Sequence, residues 1–115
     1  MRRTLLAIAV LVTAAGFTPT QLDLSGSYTS NWGSVVLHQS RGRVTGEYVY
    51  QHGHIDGVLD GNVLRYAWHE NDGDGHGLFV VASGGELVGT WGIGDDDTRG
   101  GAWRLAPSAS AAIAR

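Results

Sequence analysis

Val44-Thr45-Gly46-Glu47-Tyr48 sets an apolar residue, a glycine and an aromatic ring at alternate positions, so all three share one face of an extended chain. The Gly-x-aromatic triplet recurs at Gly26-Ser27-Tyr28, Gly89-Thr90-Trp91 and Gly101-Ala102-Trp103, with Leu24 and Leu87 supplying the apolar residue ahead of Gly26 and Gly89. A small closed sheet needs this pattern, because an inward glycine lets the strand bend and leaves room for a neighbouring ring. Alternation broken by clusters of Gly, Asp, Asn and Ser predicts strands at 24–29, 34–39, 43–50, 54–59, 63–69, 77–82, 86–92 and 101–105. Ser40-Arg41-Gly42, Asp60-Gly61-Asn62 and Ser83-Gly84-Gly85 suit tight hairpin turns, which makes consecutive strands antiparallel neighbours. The expected fold is all-β: an eight-stranded antiparallel up-and-down meander barrel, closed so that no edge strand is left to aggregate.

The two ends of the chain read differently. Arg2 and Arg3 precede an apolar run at 5–12 and small residues at 13–16, the layout of an export signal, and the run is too short to span a bilayer. The expected organisation is a signal peptide at 1–16, a barrel domain at 17–106 and a flexible tail at 107–115, in a secreted or periplasmic protein without a membrane anchor. Cysteine is absent, so packing and strand closure alone must hold the domain. Without the signal, six Arg face eleven Asp plus Glu, a net charge of −5. Nucleic acid is excluded as a partner, since phosphate contacts need clustered positive charge.

Connections alternate between the two ends of a meander, and the segments at 30–33, 51–53, 70–76 and 93–100 are the longer, more polar set. They gather Trp32, Ser34, His52, His54, His69, Glu70, Asp72, Asp74, His76 and Asp95 to Asp97 at one rim. His52, His54, His69, Asp72, Asp74 and His76 are weak candidates for divalent-metal ligands, and scattered solvated side chains are the simpler reading. Glu70 to Gly75 resembles the start of a calcium loop, but the twelfth position is Val81 where a bidentate Glu is required. No nucleophile sits in a catalytic setting, so no enzyme and no cofactor are expected; the least implausible enzyme would be a metal-dependent hydrolase. The tyrosines and tryptophans can either fill the barrel or line a pocket, two outcomes that an eight-stranded barrel allows equally.

The run Gly26-Ser27-Tyr28-Thr29-Ser30-Asn31-Trp32-Gly33-Ser34 resembles the first hairpin of the avidin and streptavidin family, exported eight-stranded barrels that bind biotin. Val44-Thr45-Gly46-Glu47-Tyr48 is similar to that family's third strand, Ala67-Trp68 to its fifth and Leu87-Val88-Gly89-Thr90-Trp91 to its seventh. The resemblance implies Ser34 and Tyr48 as polar ligand contacts, Trp68 and Trp91 as apolar walls, and the possibility of an oligomer. Ser30 stands where the family has a ureido-contacting Asn, and Tyr50 where it has a small hydroxyl. Apolar residues around Leu78, Phe79 and Val80 replace its Ser/Thr pair, and Trp103-Arg104-Leu105 lacks its buried Asp. These departures point to shared architecture and to a ligand smaller than biotin, or to none. Leu24-Ser25-Gly26-Ser27-Tyr28 also resembles the amino-terminal motif of small periplasmic inhibitors of bacterial metalloproteases, which implies a protein partner instead.

The expected function is therefore an exported, non-enzymatic barrel that binds a small ligand at its open end, through Ser30, Trp32, Ser34, Tyr48, Tyr50, Trp68 and Trp91. The alternative is a protein-binding barrel of the inhibitor type or a structural module. A hollow of roughly 300 Å³ or more separates the two, being the size usual for a small-molecule pocket.

Overall fold

Eight strands follow one another around a closed barrel in strict sequence order: β1 (Gly26–Ser30), β2 (Val35–Ser40), β3 (Arg43–Tyr48), β4 (Gly53–Asp60), β5 (Val63–Glu70), β6 (Gly73–Val81), β7 (Leu87–Ile93) and β8 (Gly101–Pro107). The structure is a computed structural model and describes residues 22–108; the signal peptide expected at 1–16 lies outside the described residues, as does the tail beyond Ser108. Every neighbouring pair is antiparallel, and β1 closes on β8 with Tyr28 opposite Pro107 and Ser30 opposite Leu105. The N–H of Ser108 donates to the Ser27 carbonyl, so pairing continues past the boundary expected at 106.

Period two governs the wall. Along β4 the inward positions Gly53, Ile55, Gly57 and Leu59 are buried while His54, Asp56, Val58 and Asp60 face outward. Leu37, Val44, Leu59, Leu64, Phe79, Leu87 and Leu105 pack the half of the interior nearest the tight turns, all at most 4% exposed. Each such side chain contributes on the order of 1.5–3 kcal/mol by leaving water. Leu24 folds in beneath them, held by Gln39, whose Oε1 accepts from the Leu24 N–H at 2.8 Å and whose Nε2 donates to the Leu22 and Arg41 carbonyls. Tyr28 secures the same segment by donating its hydroxyl to the Leu24 carbonyl at 2.7 Å.

Inward rings face glycines across the sheet. Tyr48 lies opposite Gly53, Trp68 opposite Gly75, Tyr66 opposite Gly77 and Trp103 opposite Gly89. A Cβ at Gly53 would stand 2.0 Å from the Tyr48 ring, and one at Gly77 would stand 2.2 Å from the Tyr66 hydroxyl. Gly53, Gly75 and Gly77 supply the space into which Tyr48, Trp68 and Tyr66 lie, so the barrel can close around side chains too large for its radius, whereas a Cβ at Gly89 would meet the Leu78 backbone.

Three expectations are corrected here. Strand β6 begins at Gly73 and not near residue 77, leaving only Asn71 and Asp72 as a two-residue turn, because Gly75 is a ring seat within the ladder and not a loop glycine. Tyr50 leaves β3 and enters a single 3-10 turn (Tyr50–His52) in which Gln51 and His52 take left-handed φ of 49° and 54°. Asp95, Asp96 and Asp97 do not ring the rim. Their loop folds down the outer wall of β7, where outward Gly92 lets the Asp96 carbonyl approach within 2.3 Å of a would-be Cβ.

Candidate functional site

Above the aliphatic half, the interior opens at the end carrying the β1–β2, β3–β4, β5–β6 and β7–β8 connections. There it holds a cavity of about 210 Å³ walled by Trp32, Tyr48, Tyr50, Trp68 and Trp91, with Trp103, Ile93 and Glu70 completing the lining. The barrel is thus filled at one end and hollow at the other. The volume falls short of the ~300 Å³ that would separate the small-ligand reading from the protein-binding one, while the barrel is not filled either; at the volume of about seven waters it has room only for a small ligand or head group. A wider recess of about 570 Å³ between Arg43, Asp56, Arg65, His76 and Asp97 is an open groove on the outer wall, bounded by an exposed Arg43–Asp56 ion pair of 2.7 Å. The half-open aromatic cavity is the better candidate, because an apolar lining with few convergent polar groups characterises ligand sites.

Each wall is held by the strand or loop behind it. Trp68 points inward from β5 and donates its Nε1–H to the Gly92 carbonyl at 3.1 Å. Trp91 comes from β7 with Gly100 at its back, a Cβ there falling 2.3 Å from the ring, and its Nε1 is the one buried side-chain polar atom without a partner among the described residues. Trp32 reaches in from the β1–β2 loop and meets Tyr50 at 5.0 Å between ring centroids. Tyr50 is placed by its strained turn, which is strapped to the β5–β6 hairpin. Gln51 accepts the Asp72 N–H and donates to the Asp72 carboxylate, and the Gln51 carbonyl accepts the Asn71 N–H. Left-handed non-glycine backbone beside a cavity is the kind of strain that functional sites retain.

Among the described residues Glu70 is the only charged side chain lining the cavity. The Tyr48 hydroxyl donates to its Oε2 at 2.7 Å, and burial together with that carboxylate raises the phenol far above its ordinary value of 10.0. Burial likewise raises Tyr66, whose hydroxyl donates to the Thr90 carbonyl at 3.1 Å, and Tyr28. A raised phenol binds its proton more tightly folded than unfolded, so its stabilisation is complete below pH ~10 and is lost as pH climbs above that value. Spectrophotometric titration should therefore show Tyr28, Tyr48 and Tyr66 resisting ionisation near pH 10 and titrating together with unfolding at higher pH. Three tyrosinates appearing near pH 10 in a chain that keeps its far-UV signal would refute this.

The other site residues expected from sequence fall elsewhere. Ser30 turns its hydroxyl into the loop, donating to the Gly33 carbonyl at 2.6 Å and accepting from the Trp32 N–H and the Trp103 Nε1–H. It positions two ring residues and does not line the cavity. Ser34 is exposed outside it. His54, His69 and Asp74 sit side by side on the outer wall, His69 and Asp74 being 3.8 Å apart. His52 leaves the extended path in the 3-10 turn and meets Asn71, Asp72 engages Gln51, and His76 donates from Nδ1 to the Gly94 carbonyl. Among the described residues no group of three or more His, Asp or Glu side chains is arranged to hold a metal ion. Glu70 was legible as a lining residue, because Trp68 and Glu70 are two apart in a strand and share its inner face.

Among the described residues no helix is long and apolar enough to cross a membrane. Compared with known protein families, curated proteins and solved structures, the chain matches none.

Proposed function

We propose that this chain is an exported, non-enzymatic binding protein that holds a small ligand in the aromatic cavity at the open end of its barrel. The observation that carries this reading is the cavity itself: about 210 Å³, walled by aromatic rings, in a barrel whose other half is packed solid. A chain seeking only stability would bring its rings inward and close the gap, since empty apolar space forfeits dispersion contacts. Export is supported by Arg2, Arg3 and the short apolar run that follows them. The likeness to avidin-type barrels supports the same reading in part, for Tyr48, Trp68 and Trp91 line the cavity whereas Ser34 does not. Native mass spectrometry of the full chain against a metabolite panel, read alongside tryptophan emission, tests the proposal. The expected result is one saturable adduct with a shift in emission, weakened at least about tenfold by Trp68→Leu. A folded chain that gives no adduct and no change in emission across the panel overturns it.

A second reading has one observation in its favour. Val49 is 73% exposed and Ile93 65% exposed beside the mouth, with Tyr50 between a lining and a surface position at 43%. Apolar side chains crowded at one rim suit a protein partner seated over the opening. That reading predicts a stoichiometric complex that blocks small-molecule entry and is abolished by Val49→Asp together with Ile93→Asp.

A further inference from the structure

We propose that the cavity selects a small organic cation, a quaternary or methylated ammonium compound, over neutral and anionic ligands of the same shape. This rests on reading the cavity as a ligand site and adds the chemistry of what fills it. All four tryptophans of the chain line this one cavity. Trp91 stands at 84° to Trp32 and at 85° to Trp68, with ring centroids 5.8 and 6.0 Å apart, and Tyr50 leans on Trp32 at 59°. Rings meeting near right angles at these distances pack edge to face and not as a stack, so their planes wall the cavity from different directions. A ring face left open to the cavity presents the negative lobe of its quadrupole, and indole is the ring that attracts a cation best.

Charge and hydrogen bonding point the same way. Glu70 is the single charged group of the lining, and its Oε2 is fixed by the Tyr48 hydroxyl, leaving Oε1 as a counter-charge. Among the described residues no Arg or His lines the cavity, so an anionic ligand would meet an uncompensated carboxylate. Tyr48, Trp68 and Trp103 have already committed their polar hydrogens to Glu70, Gly92 and Ser30, and among the described residues the Trp91 Nε1–H is the one buried donor of the lining left without a partner. A ligand rich in hydroxyls or a urea would find only the Trp91 Nε1–H and Glu70 Oε1 left to pair with among the buried groups, and its remaining polar atoms would go unpaired at a cost in affinity. A methylated ammonium group asks for none of these bonds; ring faces and one nearby negative charge suffice. The net charge of −3 over the whole chain adds weak long-range attraction of the same sign.

Calorimetric titration of the full chain with tetramethylammonium, with choline and with the carbon analogue of choline, in which a quaternary carbon replaces nitrogen, tests the inference. The two cations should bind at one site at least about tenfold tighter than the carbon analogue. Two variants narrow that ratio severalfold while near-UV circular dichroism stays native. Glu70→Gln removes the counter-charge, and Trp32→Leu keeps an apolar wall but removes a ring face. A carbon analogue that binds as tightly as choline, or a ratio that neither variant changes, overturns the cation assignment and leaves the cavity standing as a site for neutral ligands. A folded chain that binds none of the three overturns it as well, and the metabolite panel then decides whether the cavity reading falls with it. Co-sedimentation with phosphatidylcholine vesicles, lost in Trp32→Leu, would assign the same chemistry to a lipid head group; choline binding with no vesicle attachment would assign it to a free metabolite.

Discussion

Gly75→Ala should destabilise the barrel by about 3 kcal/mol or more, lowering the thermal midpoint by about 12 °C or beyond. A Cβ at this position would lie 2.0 Å from the Gly92 carbonyl oxygen and 2.6 Å from Trp68 Cζ2. The first of these is backbone of the adjoining strand β7, and the second is a buried indole whose Nε1 is tied to that same carbonyl. Neither can step aside without breaking a ladder or a wall of the cavity. Gly73, two residues earlier in the same strand, provides the control. A Cβ there meets nothing within 4 Å and its φ is ordinary, so Gly73→Ala should change stability by no more than about 0.5 kcal/mol. Thermal and urea unfolding of the two variants checks the pair; similar midpoints for both would show that the glycines are turn formers and not ring seats.

Trp103→Ala carries the other large effect, about 3–5 kcal/mol, the range for removing a buried aromatic side chain. Trp103 is 3% exposed and is the ring on which the filled and hollow halves of the barrel meet. It packs near edge-on against Tyr48 at 5.1 Å and Tyr66 at 5.8 Å between centroids, and tilts on Phe79 at 5.4 Å. Its removal takes away those three ring contacts and leaves the Ser30 hydroxyl without its indole donor. The same change deepens the cavity from its floor. A variant that survives folding should therefore show both a lower unfolding midpoint and altered selectivity in the ligand panel. Trp103→Phe should recover most of the stability and not the Ser30 hydrogen bond. Equal midpoints for Trp103→Ala and the parent chain would contradict the packing described.

Alternation made the barrel legible. In β3 and β4 a buried residue stands at every second position, and the tight turns at Gly61 and Gly84 place glycine in the left-handed φ region as expected, whereas in Ser40-Arg41-Gly42 it is Arg41 that takes the positive φ. Glycine is also where the reading fails, because the same residue serves two purposes. Gly73-Asp74-Gly75 has the composition of a loop, yet Gly75 is an inward gap for Trp68, and nothing local distinguishes a turn glycine from a seat for a ring on the next strand. Gly92 plays the mirror role on the outer surface, where it lets the 94–100 loop lie against the wall and removes Asp95 to Asp97 from the rim. Within the cavity, Tyr48, Trp68 and Trp91 follow from strand parity. Tyr50 depends on two successive left-handed residues, Gln51 and His52, that no propensity favours, and Ser30 depends on which way one hydroxyl turns. Both are decided by contacts across the barrel and not by neighbours in sequence.

A crystal structure of the full chain tests the central claim most directly. The prediction is that β1 and β8 pair from Tyr28 with Pro107 to Ser30 with Leu105, and that Trp32, Trp68 and Trp91 stand around an opening filled by ordered solvent or a bound small molecule. Indoles folded down onto Trp103 with no room left for anything larger than a single water, or a sheet left open between the first and last strands, would contradict it.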